Sequence, residues 1–267
     1  MSYWRYWQLI GVPFAGDSIQ NLHRGATVEE ALARIEFLIS NRRSVGCLIG
    51  PSGVGKSSIL RHCAQNPPLI AEVPSLQVLR TSLLGMSEGE LLRDLGTRLT
   101  GSRKLQNTAT AWHVLCDYFQ AASREDVQTV LLVDDTESST SAAEADLNRL
   151  LSMAFPLTVV FSVESQLSSA VSRILFDRTE LQIELPAWEL EQTECFLKWA
   201  FEQQGRSESI FTPQAIKRIQ ELSRGVARRI VQLVDLALVA GAVAQVSIVD
   251  ADCVEQVAWE LPKTTAA

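Results

Sequence analysis

Gly50-Pro51-Ser52-Gly53-Val54-Gly55-Lys56-Ser57 reads G-x-x-x-x-G-K-[ST], the spacing of a loop that wraps nucleotide phosphates. Val45, Cys47, Leu48 and Ile49 before it form an apolar run that suits a buried strand. Ser58-Ile59-Leu60-Arg61-His62-Cys63-Ala64 after it can open a helix. Glycines at 50, 53 and 55 are expected to let the backbone turn its N–H groups inward, toward an anion at the helix N-terminus. Lys56 then reaches the β and γ phosphates, Ser57 holds Mg²⁺, and Gly50 through Ser58 line the phosphates. Strand, loop and helix in this order make nucleotide binding the first expectation.

The totals narrow the class. The chain has 267 residues, 46% of them apolar, enough for one large domain or two smaller ones. A net charge of −7 argues against nonspecific attachment to DNA or anionic membrane as the main task. Five widely spaced cysteines with no C-x-x-C pair read as buried thiols in a reducing compartment, and three scattered histidines suggest no metal-binding pattern. Met1-Ser2-Tyr3-Trp4-Arg5 lacks the apolar core of a secretory leader. The most apolar stretch, Val231 to Val249, is interrupted by Gln232, Asp235 and Gln245, so no membrane span is expected. The expected place is the cytoplasm.

Residues 1–26 are dense in aromatics (Tyr3, Trp4, Tyr6, Trp7, Phe14) and are expected as a segment that docks on the domain body. Thr27-Val28-Glu29-Glu30 reads as a capping box ahead of a helix carrying Ala31, Ile35, Leu38 and Ile39. Beyond the loop, strand-like runs at Leu69–Val73, Leu76–Leu79, Val127–Val133, Leu157–Phe161 and Leu181–Leu185 alternate with helical stripes at Leu91–Leu99 and Trp112–Ala122. That alternation predicts a parallel α/β sheet flanked by helices over 27–187. From 188 to 262 the pattern is helical only, with Thr212-Pro213 and Asp250 as helix starts and Gly225 as a break. A smaller all-helical domain is expected there, and 263–267 form a polar tail.

Further positions complete the chemistry. Asp134, after the buried run Val130–Val133, is placed to hold the Mg²⁺ hydration shell from a strand's carboxyl end, although an ordinary acidic turn fits the same residues. Asp135 stands where a carboxylate would orient the attacking water. It is shorter than glutamate by about 1.5 Å, and a misplacement of about 1 Å costs on the order of a hundredfold in rate. Slow hydrolysis is therefore expected, with Glu137 as a possible substitute. Ser162, with Glu164 second, can sense the γ-phosphate, or Ser162 is a satisfied turn serine. Arg178 or Arg173, ahead of the last strand, can reach a neighbouring subunit's nucleotide, and Arg228 can reach back within the same chain.

With these residues in place the chain resembles AAA+ ATPases, most closely the ExeA/GspA-type ATPases of general secretion, with TniB-like transposition ATPases as relatives. Tyr6-Trp7-Gln8-Leu9-Ile10-Gly11-Val12-Pro13-Phe14 is similar to that group's aromatic opening. The phosphate loop and Asp134 match its Walker A and Walker B motifs. Arg178 falls at its Gln-Arg-Ile arginine, and Gly225-Val226-Ala227-Arg228-Arg229-Ile230 resembles its sensor 2, with Ala227 in place of proline. The resemblance implies a five-stranded sheet of order 5-1-4-3-2, a helical lid and assembly into a homo-oligomeric ring or filament. It departs at Asp135, where the family has glutamate.

The expectation is a P-loop AAA+ ATPase that binds ATP or ADP with Mg²⁺ between the sheet domain and the lid. Lys56, Asp134, Asp135 and Arg178 carry its catalysis, and its nucleotide state controls assembly and an unidentified protein partner. The alternatives are a hydrolysis-poor ATP switch, an ATP-dependent DNA-coating regulator, which the acidic charge disfavours, and a small-molecule kinase.

Overall fold

The computed structural model describes residues 2–14, 22–68, 73, 75–102, 105–166 and 173–262. In chain order it contains α1 (Tyr3–Tyr6), α2 (Ala26–Ser40), β1 (Val45–Gly50), α3 (Lys56–Gln65), β2 (Ser75–Ser82), α4 (Glu90–Thr100), α5 (Thr108–Arg124) and β3 (Val127–Asp134). These are followed by α6 (Ser141–Leu151), β4 (Leu157–Glu164), α7 (Arg173–Asp177), β5 (Leu181–Glu184), α8 (Leu190–Glu202), α9 (Pro213–Ser223), α10 (Ala227–Val243) and α11 (Ala251–Ala258). The run expected as a strand at 69–73 lies outside the described residues except for Val73, which is buried. Among the described residues no helix is long and apolar enough to cross a membrane.

Contacts divide the chain into two compact units, one of Glu29–Gly50 and Lys56–Leu185, the other of Met1–Val28, Pro51–Gly55 and Pro186–Ala267. The first holds a five-stranded sheet of order β2-β3-β4-β1-β5, every pair parallel. This is a P-loop NTPase fold. β3 and β4 are buried along almost their whole length, which is why their centres, Val130–Val133 and Val159–Phe161, are consecutive apolar residues and do not alternate with polar ones. Helices bury their apolar stripes against the sheet: Leu91, Leu92 and Leu95 of α4, Leu115 and Phe119 of α5, and Leu147 and Leu150 of α6 join Val133, Val159 and Phe161 in one core. Each such side chain contributes about 1.5–3 kcal/mol by leaving water.

Two local readings change. The helix α2 starts at Ala26, one residue ahead of Thr27, so Thr27 lies within its first turn and is not its cap. The Thr27 hydroxyl instead accepts from the amide of Gln192 at 2.8 Å. The helix α6 falls between the strand runs at 127–133 and 157–161, where no element is expected from the sequence. Yet Thr140 caps it by accepting from the Ala143 N–H at 3.2 Å, and Ala143, Leu147 and Leu150 form its buried stripe.

In the helical unit the expected caps are present. Thr212 Oγ1 accepts from the Ala215 N–H at 3.1 Å, and Asp250 Oδ1 accepts from the Cys253 N–H at 2.9 Å. The aromatic opening belongs to this core: Trp7 is 2% exposed and its indole N–H donates to the Leu238 carbonyl at 2.8 Å. Phe14 stacks on Phe196 with ring centroids 5.8 Å apart. The thiols divide by position. Cys47 and Cys63 are buried, and burial pushes them up to about 12 and about 11, so they are inert near neutral pH. The other three depart from the expected burial: Cys116 and Cys253 are half-buried, and Cys195 is exposed.

Candidate phosphate and metal site

The loop departs from the buried end of β1 and leads straight into α3, whose first two residues are Lys56 and Ser57. Gly53 and Gly55 adopt φ of 81° and 113°, which L side chains rarely tolerate. Gly50 does not share this geometry. It is the last residue of β1, paired in register with Glu164, so only two of the three glycines make the turn. A Cβ on Gly53 would stand 2.8 Å from the Cβ of Arg228. The Arg228 N–H donates to the Gly53 carbonyl at 3.0 Å, which ties the start of α10 to the loop within the helical unit. Pro51, Ser52 and Val54 complete that stretch, with Val54 buried. Lys56 is 9% exposed and its ammonium donates to the Gly50 carbonyl at 2.8 Å.

In the sheet unit the strand order decides what meets what. β4 lies between β1 and β3, so Ser162 of β4 stands beside the carboxylate that ends β3. Asp134 is 3% exposed, and its Oδ1 accepts from Ser162 Oγ at 2.6 Å and from Ser57 Oγ at 3.1 Å. Its Oδ2 accepts from Arg80 Nη2 at 3.0 Å. Burial acts to raise the pKa of Asp134. Hydrogen bonds from Ser162, Arg80 and Ser57, with the charge of Arg80, outweigh that, and the carboxyl is held below its usual range. Asp134 is therefore an ionised, buried carboxylate facing a hydroxyl at the first turn of a helix. Such a pair of hard oxygen donors fits Mg²⁺.

The remaining candidates sit as follows. Asp135 occupies the left-handed region at φ 54°, and its carboxylate accepts from Ser82 Oγ at 2.7 Å. Glu137 lies in the short turn that follows, with Oε2 buried and without a hydrogen-bond partner among the described residues. Ser162 is a mid-strand residue opposite Leu48, not a turn serine, and Glu164 ends its strand. Ser58 follows Ser57 in the first turn of α3. Arg178 donates to the Leu151 carbonyl at 2.9 Å and to Ser152 Oγ at 3.1 Å, closing the C-terminus of α6. Arg173 begins α7, and its side chain lies outside the described residues.

Two residues of this cluster were missed by sequence reasoning. Arg80 and Ser82 sit on β2, whose register sets Ser82 opposite Asp134. The available signal was an arginine two residues before the end of a strand, next to the apolar pair Val78-Leu79, a place where a charge needs a partner.

The family model described as "AAA domain" matches residues 39–171. Comparison with curated proteins finds no match. Among solved structures, the T158V form of Thermotoga maritima RuvB is similar over 89% of this chain and 69% of its own, at 18% identity and a TM-score of 0.60. The Aeropyrum pernix ORC2 protein, in ADPNP–ADP complexes, is similar over 92% of this chain and 69% of its own, at 16% identity and a TM-score of 0.64. A chain of Drosophila ORC bound to DNA gives 86% and 58%, at 22% identity and a TM-score of 0.62. At these identities the likeness is one of fold. It agrees with the parallel sheet and with the phosphate loop, which lies inside the segment 39–171 that matches the AAA domain model.

Proposed function

We propose that this protein is a cytoplasmic ATPase that binds ATP with Mg²⁺, hydrolyses it slowly, and uses its nucleotide state to control its own assembly and its action on a protein partner. The observation that carries the reading is the 3.1 Å hydrogen bond between Ser57 and Asp134, directly after the lysine of the phosphate loop. Lys56 supplies the charge that holds the β and γ phosphates. Ser57 and Asp134 hold the divalent ion, and Ser162 keeps the Asp134 carboxylate aimed at Ser57. Mg²⁺, when bound, screens the phosphate charge and polarises the group being transferred. Asp135 accepts the proton of the attacking water, and its short side chain and its bond to Ser82 support slow turnover. Arg178 of a neighbouring subunit completes the charge stabilisation, with Arg173 the second choice, and Arg228 braces the loop from its own chain. The similarity of the aromatic opening, the Asp134 strand and the Arg228 segment to ExeA/GspA-type ATPases supports assembly into a ring or filament.

Light scattering on a sizing column tests the assembly directly, comparing apo protein, ADP and a non-hydrolysable ATP analogue. A larger species with the analogue is expected, and a monomer in all three at high concentration overturns it. Phosphate release measured across protein concentration is expected to rise more than linearly if Arg178 acts between subunits. Strictly linear release counts against that role.

A second reading is ATP-dependent DNA binding. It is favoured by the fold shared with a Drosophila ORC chain bound to DNA and with a RuvB described as a Holliday junction branch migration motor. Salt-dependent DNA binding that requires ATP would establish it, and absence of binding at low salt would remove it.

A further inference from the structure

Arg80 is a cation with no assigned task, held against the carboxylate that is to serve the metal. Its Nη2 lies 3.0 Å from Asp134 Oδ2, its side chain is one third exposed, and its Nε is buried without a hydrogen-bond partner among the described residues. The strand fixes its position: Arg80 pairs with Leu132 in the β2–β3 ladder, and its own carbonyl accepts from Arg98 at 2.9 Å. The other oxygen of Asp134 faces Ser57 and Ser162. A single carboxylate therefore separates the guanidinium from the hydroxyl that is to contact the divalent ion.

The geometry points to Arg80 as a built-in cation that shares Asp134 with Mg²⁺ and makes nucleotide binding less dependent on Mg²⁺ than Ser57 and Asp134 alone would make it. Two effects act in the same direction. The guanidinium neutralises part of the charge that would otherwise attract the divalent ion. It also adds positive charge near the phosphates when Mg²⁺ is absent. In a site of reduced dielectric, a unit charge one side chain away from the ion outweighs thermal energy. Removing Arg80 should therefore widen the gap between nucleotide affinity with and without Mg²⁺. The inference rests on the nucleotide reading above.

The test is calorimetric titration of ADP, once in excess EDTA and once in saturating Mg²⁺, giving a ratio of the two dissociation constants. Arg80→Met keeps the length of the stem and removes the charge, and it is expected to raise that ratio on the order of tenfold. Arg80→Lys keeps the charge and should stay near wild type. Asp134→Asn should bring the ratio close to one, whether or not Arg80 is present. If Arg80→Met does not fold, Arg80→Gln, neutral and still able to donate to Asp134, must raise the ratio in the same way. An unchanged or smaller ratio in the neutral variant, with wild type binding ADP normally, overturns the inference alone. Wild-type protein that binds ADP in neither condition overturns both the inference and the nucleotide reading beneath it.

Discussion

Ser82 donates its hydroxyl to the carboxylate of Asp135 across 2.7 Å, one register position from the buried Asp134. The bond holds the carboxylate assigned to water activation toward β2, while the Asp135 backbone takes a left-handed turn at φ 54°, ψ 40°. Aspartate and asparagine tolerate that turn better than longer side chains do.

Asp135→Asn therefore keeps the turn and an oxygen for Ser82 while removing the base. Phosphate release is expected to fall by about a hundredfold, with ADP affinity changed by less than roughly twofold. A parallel loss of affinity would mean that the carboxylate shapes the binding site and does not act on water. Asp135→Glu lengthens a side chain at a positive φ, so a cost in stability is expected alongside any gain in rate.

Gly53→Ala adds a methyl where φ is 81° and the Arg228 Cβ would be 2.8 Å away. The backbone strain alone costs about 1–2 kcal/mol, so a lower melting temperature and weaker ADP binding are expected together. Combining it with Arg228→Ala should not restore either, because alanine retains the Cβ that clashes. Recovery in the double variant would place the conflict in the arginine side chain beyond Cβ.

Trp7 and Gly241 meet in the helical core, where a Cβ on Gly241 would stand 2.8 Å from Trp7 Cζ2. Trp7→Ala is expected to cost about 3–5 kcal/mol, and Gly241→Ala about 1–3 kcal/mol through overpacking. Chemical denaturation followed by far-UV dichroism measures both. A loss under 1 kcal/mol for Trp7→Ala would mean that the N-terminal segment is only loosely held.

Asp235 of α10 is pushed up to about 6 by burial, a shift that the hydrogen bond from Tyr3 only partly offsets. Its Oδ1 is buried without a partner among the described residues. Because the folded pKa lies above the unfolded one, the folded state holds a proton that the unfolded chain has released between about pH 4 and 6. The contribution of this group is fully present below pH 4 and is lost as pH rises through 6. Asp235→Asn should therefore stabilise the protein at pH 8, by on the order of 1 kcal/mol after allowance for solvent screening. That gain should vanish at pH 4. Urea melts at the two pH values decide it, and an equal effect at both would assign the change to packing.

How much was legible follows from the range of each interaction. The loop from Gly50 to Ser57, the caps at Thr212 and Asp250, and the buried strand before Asp134 are local patterns, so nearest neighbours in the chain reveal them. The stripe of α6 was legible in principle, but the polar residues around Thr140 obscured it, since the same side chains that cap helices also build loops. Spacing alone cannot tell a glycine that adopts a positive φ, such as Gly53, from one that ends a strand, such as Gly50.

The amino-acid sequence by itself determined that a phosphate loop joins a buried strand to a helix, and that a carboxylate closes another strand. Only the tertiary structure decided which groups surround that carboxylate. Strand order set β4 between β1 and β3, and the parallel register of β2 on β3 brought Arg80 and Ser82 to Asp134 and Asp135. Arg80 lies 54 residues from its partner in the chain. No local propensity encodes that proximity, because it arises from hydrogen-bond ladders that form only once the sheet is assembled.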